Sequence, residues 1–151
     1  MSHPYESFMR EAAELAERGR WSAAPNPTLG SVLVRDGVVV ARGWHTAYGK
    51  SHAEVECLKD AEAKGVDPSA CTLVVTLEPC NHQGQTPPCT EAVIAAGIRH
   101  VVIGLRDPNP FITFGFFVIY PTFPYTTIHS ISVFILTDLY SESSVKAIRI
   151  L

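Results

Sequence analysis

The sequence has little charge of either sign. Of its 151 residues, 18% are Asp, Glu, Lys or Arg, and 12 basic against 15 acidic residues leave a formal net charge of -3. A general nucleic-acid-binding protein carries a strongly basic surface, so this balance argues against that class. The hydrophobic share of 46% is too high for a disordered chain. A chain of this length and composition is therefore expected to form one compact domain.

The N-terminal segment lacks the continuous apolar stretch of a secretory signal, because acidic and basic residues are interspersed through residues 10–20. We therefore expect a cytoplasmic protein. Cysteine is also scarce, at four residues. Four cysteines could form a disulfide framework, but in a cytoplasmic chain metal ligands or buried thiols are the better interpretation. The four are Cys57, Cys71, Cys80 and Cys89.

Hydrophobic periodicity predicts an alternation of helices and strands. We expect helices over 5–18, 51–64 and 90–96, a hairpin that turns at Asp36-Gly37, and buried strands over 71–77 and 101–105. Ser51 is the expected N-cap of the second helix, with Glu54 as its capping-box partner. This order predicts an α/β fold with a mixed sheet, parallel later strands and helices on both faces.

The composition changes abruptly at Pro110. Six of the seven phenylalanines follow it, and residues 111–137 contain no charged side chain. That run is long enough for a transmembrane helix, but Pro121, Pro124 and many Ser and Thr residues weigh against one. A β-prone or unstructured tail is the simpler interpretation. We therefore expect a domain over 1–110 that is incomplete at its C-terminal end, and a divergent apolar tail of unknown structure over 111–151.

One group of residues predicts a metal site with a base beside it. Catalytic zinc commonly has three His or Cys ligands and keeps its fourth position open for water, and His52, Cys80 and Cys89 supply that set. A neighbouring carboxylate, Glu54, could carry protons between nucleophile and leaving group. Taken singly, each motif would more often be a buried histidine or a core thiol. For Cys57 and Cys71 we expect inert core thiols, and for Glu78 a carboxylate that ties its loop to backbone amides.

The run TLEPCNHQGQTPPC over 76–89 is the most specific motif, since eight residues separate its two cysteines. Together with His52-Ala53-Glu54 before it and RDPNP over 106–110 after it, this run resembles the deaminase domain of the bifunctional riboflavin biosynthesis protein. Cytidine, guanine and transfer-RNA adenosine deaminases use a shorter cysteine spacing. The resemblance covers residues 5–110 and implies a three-layer α/β/α cytidine-deaminase-like sandwich with a mixed central sheet.

The resemblance also implies an activity and a set of site residues. The activity is zinc-dependent hydrolytic deamination of 2,5-diamino-6-ribosylamino-4(3H)-pyrimidinone 5′-phosphate to 5-amino-6-(5-phosphoribosylamino)uracil. It implies Zn²⁺ on His52, Cys80 and Cys89, with Glu54 as the catalytic proton carrier. The positions that match the substrate pocket are Asn26, His45, Asn81, His82, Thr86, Asp107 and Asn109.

The residues after Pro110 depart from the family, which continues with a further helix and strand and then a reductase domain. We therefore expect no reductase domain here and a reductase step supplied by another protein. The expected partner is a small phosphoribosylaminopyrimidine, with no nucleic acid and no membrane, and a homo-oligomer is compatible with the family. Two alternatives stay open at this stage. One is a catalytically impaired or vestigial zinc-binding fragment, and the other is a deaminase of another nucleobase.

Overall fold

A mixed six-stranded sheet organises the computed structural model, which describes residues 4–107, 131–136 and 145–150. The strands lie in the order β2-β1-β3-β4-β5-β6. In chain order the elements are α1 (Glu6–Glu17), β1 (Gly30–Arg35), β2 (Val38–Trp44), α2 (Ala53–Ala63), a 3-10 turn (Pro68–Ala70), β3 (Thr72–Leu77), α3 (Cys89–Ala95), β4 (His100–Leu105), β5 (Ile131–Leu136) and β6 (Val145–Ile150).

The strand directions follow from the connections. A two-residue turn joins β1 to β2, and both of its residues have positive φ, 52° for Asp36 and 74° for Gly37. Such angles at both positions are those of a type I′ turn, which matches the twist of an antiparallel hairpin. Strand β3 pairs antiparallel with β1, whereas β3 and β4 are parallel and α3 lies between them in the chain. The predicted hairpin and the parallel later strands are confirmed.

Helices cover the sheet on both sides. Helix α1 packs Met9, Ala12 and Leu15 on one face, where they join Val32, Val74 and Val102 of three neighbouring strands. The opposite face carries Leu33, Leu73 and Val101 against Cys57 and Ala61 of α2 and Val93 of α3. Helices thus cover both faces of β3 and β4 and exclude water from them, which explains the nearly continuous apolar sequences of these strands. The expected α/β/α sandwich is confirmed.

The start of α2 differs from the sequence prediction. Its N-cap is His52, and Ser51 does not cap the helix. The Ser51 carbonyl accepts a bond from His45, and the Ser51 hydroxyl accepts one from Lys59. Glu54 is only 2% exposed, and no capping-box bond to Ser51 is formed. The Ser51 N-cap and the capping box were therefore wrong, because the Ser51 hydroxyl is bonded to Lys59 and the Glu54 carboxylate is buried in the wall of a cavity.

Two segments of the C-terminal tail are strands of the same sheet. Strand β5 pairs parallel with β4, and β6 pairs antiparallel with β5. The backbone edge of β4 that faces away from β3 is therefore paired. The membrane question posed by residues 111–137 lies mostly outside the described residues. Within the described ranges, no helix is long and apolar enough to cross a bilayer.

Candidate active site

Three elements bring the candidate metal ligands together at one end of the parallel strands. His52 precedes α2, Cys80 follows β3, and Cys89 is the first residue of α3. The ligand atoms of these three residues all lie within 4.8 Å of one another. Residues 81–88 form a loop whose two ends meet at this cluster. Cys80 and Cys89 therefore lie close together although eight residues separate them in the chain.

The spacing of the three ligand atoms fits a zinc ion. His52 Nδ1 lies 3.5 Å from Cys80 Sγ and 3.3 Å from Cys89 Sγ. Zinc with bonds of about 2.3 Å to sulfur and about 2.0 Å to nitrogen, in tetrahedral geometry, separates these atoms by about 3.5 Å. The donor set of two thiols and one imidazole is also one that zinc prefers. All four cysteines are free thiols, so no disulfide competes for these two.

The two cysteines of the cluster influence each other strongly. The hydrogen bond from Cys89 lowers the pKa of Cys80 to about 4, and the bond to His52 adds to this effect. The same contact with Cys80 raises the pKa of Cys89, and burial raises it further. The backbone amide of Cys89 also donates to Cys80 Sγ, at 3.4 Å. The arrangement therefore stabilises negative charge on the Cys80 sulfur while Cys89 keeps its proton, so a bound cation is needed to hold both sulfurs as thiolates.

Glu54 lies beside this cluster without a complete set of partners. Burial raises the pKa of Glu54 to about 7. Its Oε2 atom is buried and has no hydrogen-bond partner among the described residues, although the side chain lines an open cavity. An unpaired buried carboxylate oxygen costs free energy and calls for an explanation. A group that exchanges protons with a small molecule in the cavity provides one.

The cavity above Glu54 has a volume of about 230 Å³. Of the seven substrate positions proposed from the sequence, four line it, and they come from three separate segments of the chain. These four are Asn26, His82, Thr86 and Asp107. His52, Glu54 and Cys80 line it as well. The cavity thus joins the metal cluster and the base to a set of polar side chains.

His45 is fully buried behind this lining. Its Nδ1 lies 3.0 Å from the Ser51 carbonyl oxygen, which only accepts, so Nδ1 carries the proton. Its Nε2 then accepts from Asn26 Nδ2, at 3.2 Å. The His45 ring also stands edge-on to that of His52, with centroids 5.1 Å apart. His45 therefore contacts both a cavity residue and a candidate metal ligand.

The remaining loop positions have local partners, except for Glu78 Oε1, which is buried without a hydrogen-bond partner among the described residues. Asn81 Oδ1 accepts a bond of 2.8 Å from the Thr90 hydroxyl, which fastens the loop to α3. Glu78 Oε2 accepts from the Asp107 backbone amide at 3.4 Å, the tie between loop and backbone that the sequence predicted. Burial raises the pKa of Glu78 above its ordinary value. Asn109 lies outside the described residues.

Sequence reasoning missed three polar residues of the lining, Tyr48, Lys50 and Gln85. Tyr48 and Lys50 belong to one turn, in which the Lys50 amide donates to the Ala47 carbonyl and Gly49 has a φ of 76°. Their sequence, Tyr-Gly-Lys, signals a turn through its glycine. Nothing in the sequence signals that this turn meets the cysteine loop, where Gln85 Nε2 donates to Tyr48 Oη at 2.8 Å.

The sequence profile of the cytidine and deoxycytidylate deaminase zinc-binding region matches residues 2–105. This chain belongs to that deaminase family. The family's zinc-binding region includes His52, Cys80 and Cys89, which are able to hold the ion, and zinc is the cofactor. The predicted fold and zinc dependence are confirmed.

Among relatives, the deaminase is 48% identical over 103 residues to diaminohydroxyphosphoribosylamino-pyrimidine deaminase of Buchnera aphidicola subsp. Acyrthosiphon pisum, covering 68% of each chain. It is 49% identical over 105 residues to riboflavin biosynthesis protein RibD of Escherichia coli, covering 70% of this chain and 28% of the relative.

A solved structure gives the same assignment. The diaminohydroxyphosphoribosylaminopyrimidine deaminase/5-amino-6-(5-phosphoribosylamino)uracil reductase of Thermotoga maritima is 52% identical, with a TM-score of 0.68, over 72% of this chain and 31% of that one. The deaminase thus spans about a third or less of the length of the Escherichia coli and Thermotoga maritima proteins. The resemblance to riboflavin-pathway deaminases is confirmed.

Proposed function

We propose that this chain hydrolyses 2,5-diamino-6-ribosylamino-4(3H)-pyrimidinone 5′-phosphate to 5-amino-6-(5-phosphoribosylamino)uracil. One water is consumed, the bond from C2 to its amino nitrogen breaks, a carbonyl replaces it, and ammonia leaves. The observation that carries the proposal is the buried, unpaired carboxylate oxygen of Glu54 beside the His52, Cys80 and Cys89 cluster, on the wall of an open cavity. The names of the relatives supply the substrate class.

We assign Zn²⁺ to His52, Cys80 and Cys89. Zinc, when bound, supplies Lewis-acid activation of a water molecule near neutral pH. Glu54 takes a proton from the attacking water and returns it to the departing amino group. Its raised pKa, about 7, suits both steps, because a group that titrates near the working pH can accept and donate. A substrate that fills the cavity above Glu54 keeps that proton from exchanging with bulk water.

Substrate recognition is assigned to the polar lining. Since Asn26 donates to His45, its carbonyl oxygen is available to accept from an N–H of the pyrimidinone ring. His45 then acts through Asn26 and positions it. His82, Thr86, Asp107 and Asn109 are proposed to bind the ribose and phosphate side, and Asn81 to hold the loop in place. A base with the wrong hydrogen-bond pattern would leave buried groups unpaired, which gives such a site its selectivity.

The domain bounds, the partners and the location of the protein are part of the same proposal. The deaminase domain comprises residues 1–110, with residues 111–151 as a divergent tail that adds strands β5 and β6. The substrate is a small molecule and neither nucleic acid nor membrane is a partner, another protein supplies the reductase step, and the chain forms a homo-oligomer. The cytoplasmic location stays a prediction, because plant relatives are named as chloroplastic.

A substrate panel tests the proposed function. Zinc-loaded protein is incubated with the phosphorylated diaminopyrimidinone, cytidine, deoxycytidine monophosphate or guanine, and ammonia is measured. We expect release from the diaminopyrimidinone at a rate at least about a hundredfold above the others, which is the discrimination that buried hydrogen bonds provide. Faster release from another base would assign a different deaminase. Release from none, with zinc bound, would favour a vestigial zinc protein.

A further inference from the structure

Lysine and arginine are nearly absent from the cavity. Among the described residues that line it, Lys50 is the only one of either type, while Glu54, Glu78 and Asp107 contribute carboxylates. A phosphate carries a charge between one and two negative units at neutral pH and needs donors and positive charge around it. The proposed substrate carries its phosphate at one end, and the pyrimidinone ring at its other end reaches Glu54. The phosphate is therefore expected near Lys50, and the Asp107 carboxylate is left to accept hydrogen bonds from the ribose hydroxyl groups.

The turn that carries Lys50 is held firmly at the cavity rim. The Lys50 amide donates to the Ala47 carbonyl at 3.1 Å, and Gly49 supplies the positive φ of the turn. The Tyr48 amide donates to the Ser22 carbonyl at 2.9 Å, and the Ser22 hydroxyl donates to the Thr46 carbonyl at 2.6 Å. The backbone of Lys50 is thus fixed, while its exposed side chain keeps its rotamer freedom.

The cysteine loop meets this turn directly. An added Cβ at Gly49 would lie 2.7 Å from Gln85 Oε1, so the Gln85 amide rests against the turn. Gln85 Nε2 donates to Tyr48 Oη, and Thr86, next in the chain, lines the same cavity. Lys50, Gln85 and Thr86, which line the same cavity, therefore supply an ammonium, an amide and a hydroxyl. This is a donor set suited to phosphate oxygens.

The Lys50 ammonium has no ion-pair partner in the described part of the chain. Two lysines in and at the end of α2 do have such partners. Lys59 Nζ lies 2.7 Å from Glu56 Oε1, and Lys64 Nζ lies 2.6 Å from Asp60 Oδ2. A cation without a carboxylate partner, on a fixed turn at a cavity rim, is available to an anionic ligand. We propose that Lys50 binds the 5′-phosphate of the substrate, so that it sets the preference for phosphorylated over unphosphorylated pyrimidines; this rests on the proposed function.

Binding of ribose 5-phosphate tests the proposal without turnover. Zinc-loaded full-length protein is titrated calorimetrically with ribose 5-phosphate or ribose, as wild type, Lys50→Ala, Lys50→Arg and the control Lys64→Ala. We expect Lys50→Ala to weaken ribose 5-phosphate binding about tenfold, as loss of a charge-assisted hydrogen bond does. Lys50→Arg should stay within about threefold of wild type, since the charge is kept. Lys64→Ala, which removes an equal charge elsewhere, should bind as wild type.

Turnover separates this inference from the proposed function. With the phosphorylated diaminopyrimidinone, Lys50→Ala should raise KM about tenfold with a smaller change in kcat, and the preference over the dephosphorylated compound should fall by the same factor. Unchanged ribose 5-phosphate affinity in Lys50→Ala, or wild type that does not distinguish ribose 5-phosphate from ribose, would overturn the role of Lys50. Absence of ammonia release from wild type, with Lys50-dependent ribose 5-phosphate binding, would overturn the substrate and retain the phosphate site.

Discussion

His45 Nε2 accepts a hydrogen bond from Asn26 Nδ2, and this bond holds the Asn26 side chain in place in the lining of the cavity. The opposite ring nitrogen donates to the Ser51 carbonyl, so this backbone contact determines which ring nitrogen of His45 carries the hydrogen. The pair links the segment before β1 to the segment before α2, and so connects an amide of the cavity lining to the part of the chain that carries His52 and Glu54.

Replacing His45 by Phe should damage binding through Asn26. The variant keeps an aromatic ring but leaves the Asn26 amide without its acceptor, so we expect KM to rise about tenfold, the effect of one lost buried hydrogen bond. Asn26→Ala should give a loss of similar size. In a double-mutant cycle the two changes should fall well short of additivity, because they remove one interaction. Additive losses would mean that the two residues act separately.

Gly43 on β2 allows α2 to approach the sheet. A Cβ there would collide with the Ala53 carbonyl oxygen and the Cys57 amide nitrogen, which are backbone atoms that cannot turn aside. Gly43→Ala should therefore lower the free energy of unfolding by about 2 kcal/mol or more. Gly84→Ala is the matched control, because only the His82 ring lies near the added atom, at 3.7 Å. Thermal unfolding of the two variants checks this, and equal melting temperatures would contradict it.

Chelation should change the reactivity of two thiols and leave two unchanged. Cys57 is fully buried, and burial raises its pKa to about 12, so its thiol stays protonated at neutral pH. Burial raises the pKa of Cys71 as well. In zinc-loaded protein we expect slow alkylation of all four. After chelator is added we expect fast labelling of Cys80, whose pKa is lowered to about 4, and slower labelling of Cys89, whose buried thiol has a raised pKa. Mass spectrometry of the labelled peptides reports this; early labelling of Cys57 would contradict the assignment.

Removal of residues 108–151 should destabilise the sheet. Strand β4 would lose its pairing with β5 and expose a row of backbone groups on an apolar strand. We expect a lower melting temperature and a tendency to aggregate, measured by thermal unfolding and light scattering. A shorter truncation that removes 143–151 deletes only β6 and leaves β4 paired, so its effect should be smaller. Equal stability of the full chain and the longer truncation would show that the tail contributes nothing.

The parts of the site that could be predicted from the sequence are those that a short motif defines by its residue types and their spacing. His52, Glu54, Cys80 and Cys89 stand out because metal ligands and a base are required in a fixed spacing. The type I′ turn at Asp36-Gly37 is equally local, since both residues tolerate positive φ. Glu54 was misread as a capping residue for the same reason: the helix-start pattern is visible in sequence, whereas burial of its carboxylate in a cavity depends on distant segments.

Features that arise from contacts between distant segments were not predictable. Lys50 gained its place at the cavity rim through bonds of its turn to Ser22 and Gln85, which are far away in the chain. The apolar run over 131–136 was recognisably β-prone, but its parallel register with β4 is set by non-local pairing. Likewise, the role of Gly43 depends on how closely α2 packs on β2, which no spacing rule encodes.

Zinc content and ammonia release, measured on the same samples of wild type and Glu54→Gln, test the central claim most directly. Gln keeps the size of the side chain but cannot carry the proton, and Glu54 is not one of the three metal-cluster residues. We predict about one zinc per chain in both proteins and a loss of turnover of about a thousandfold in the variant. A Glu54→Gln protein that releases ammonia at a rate close to wild type would contradict the account.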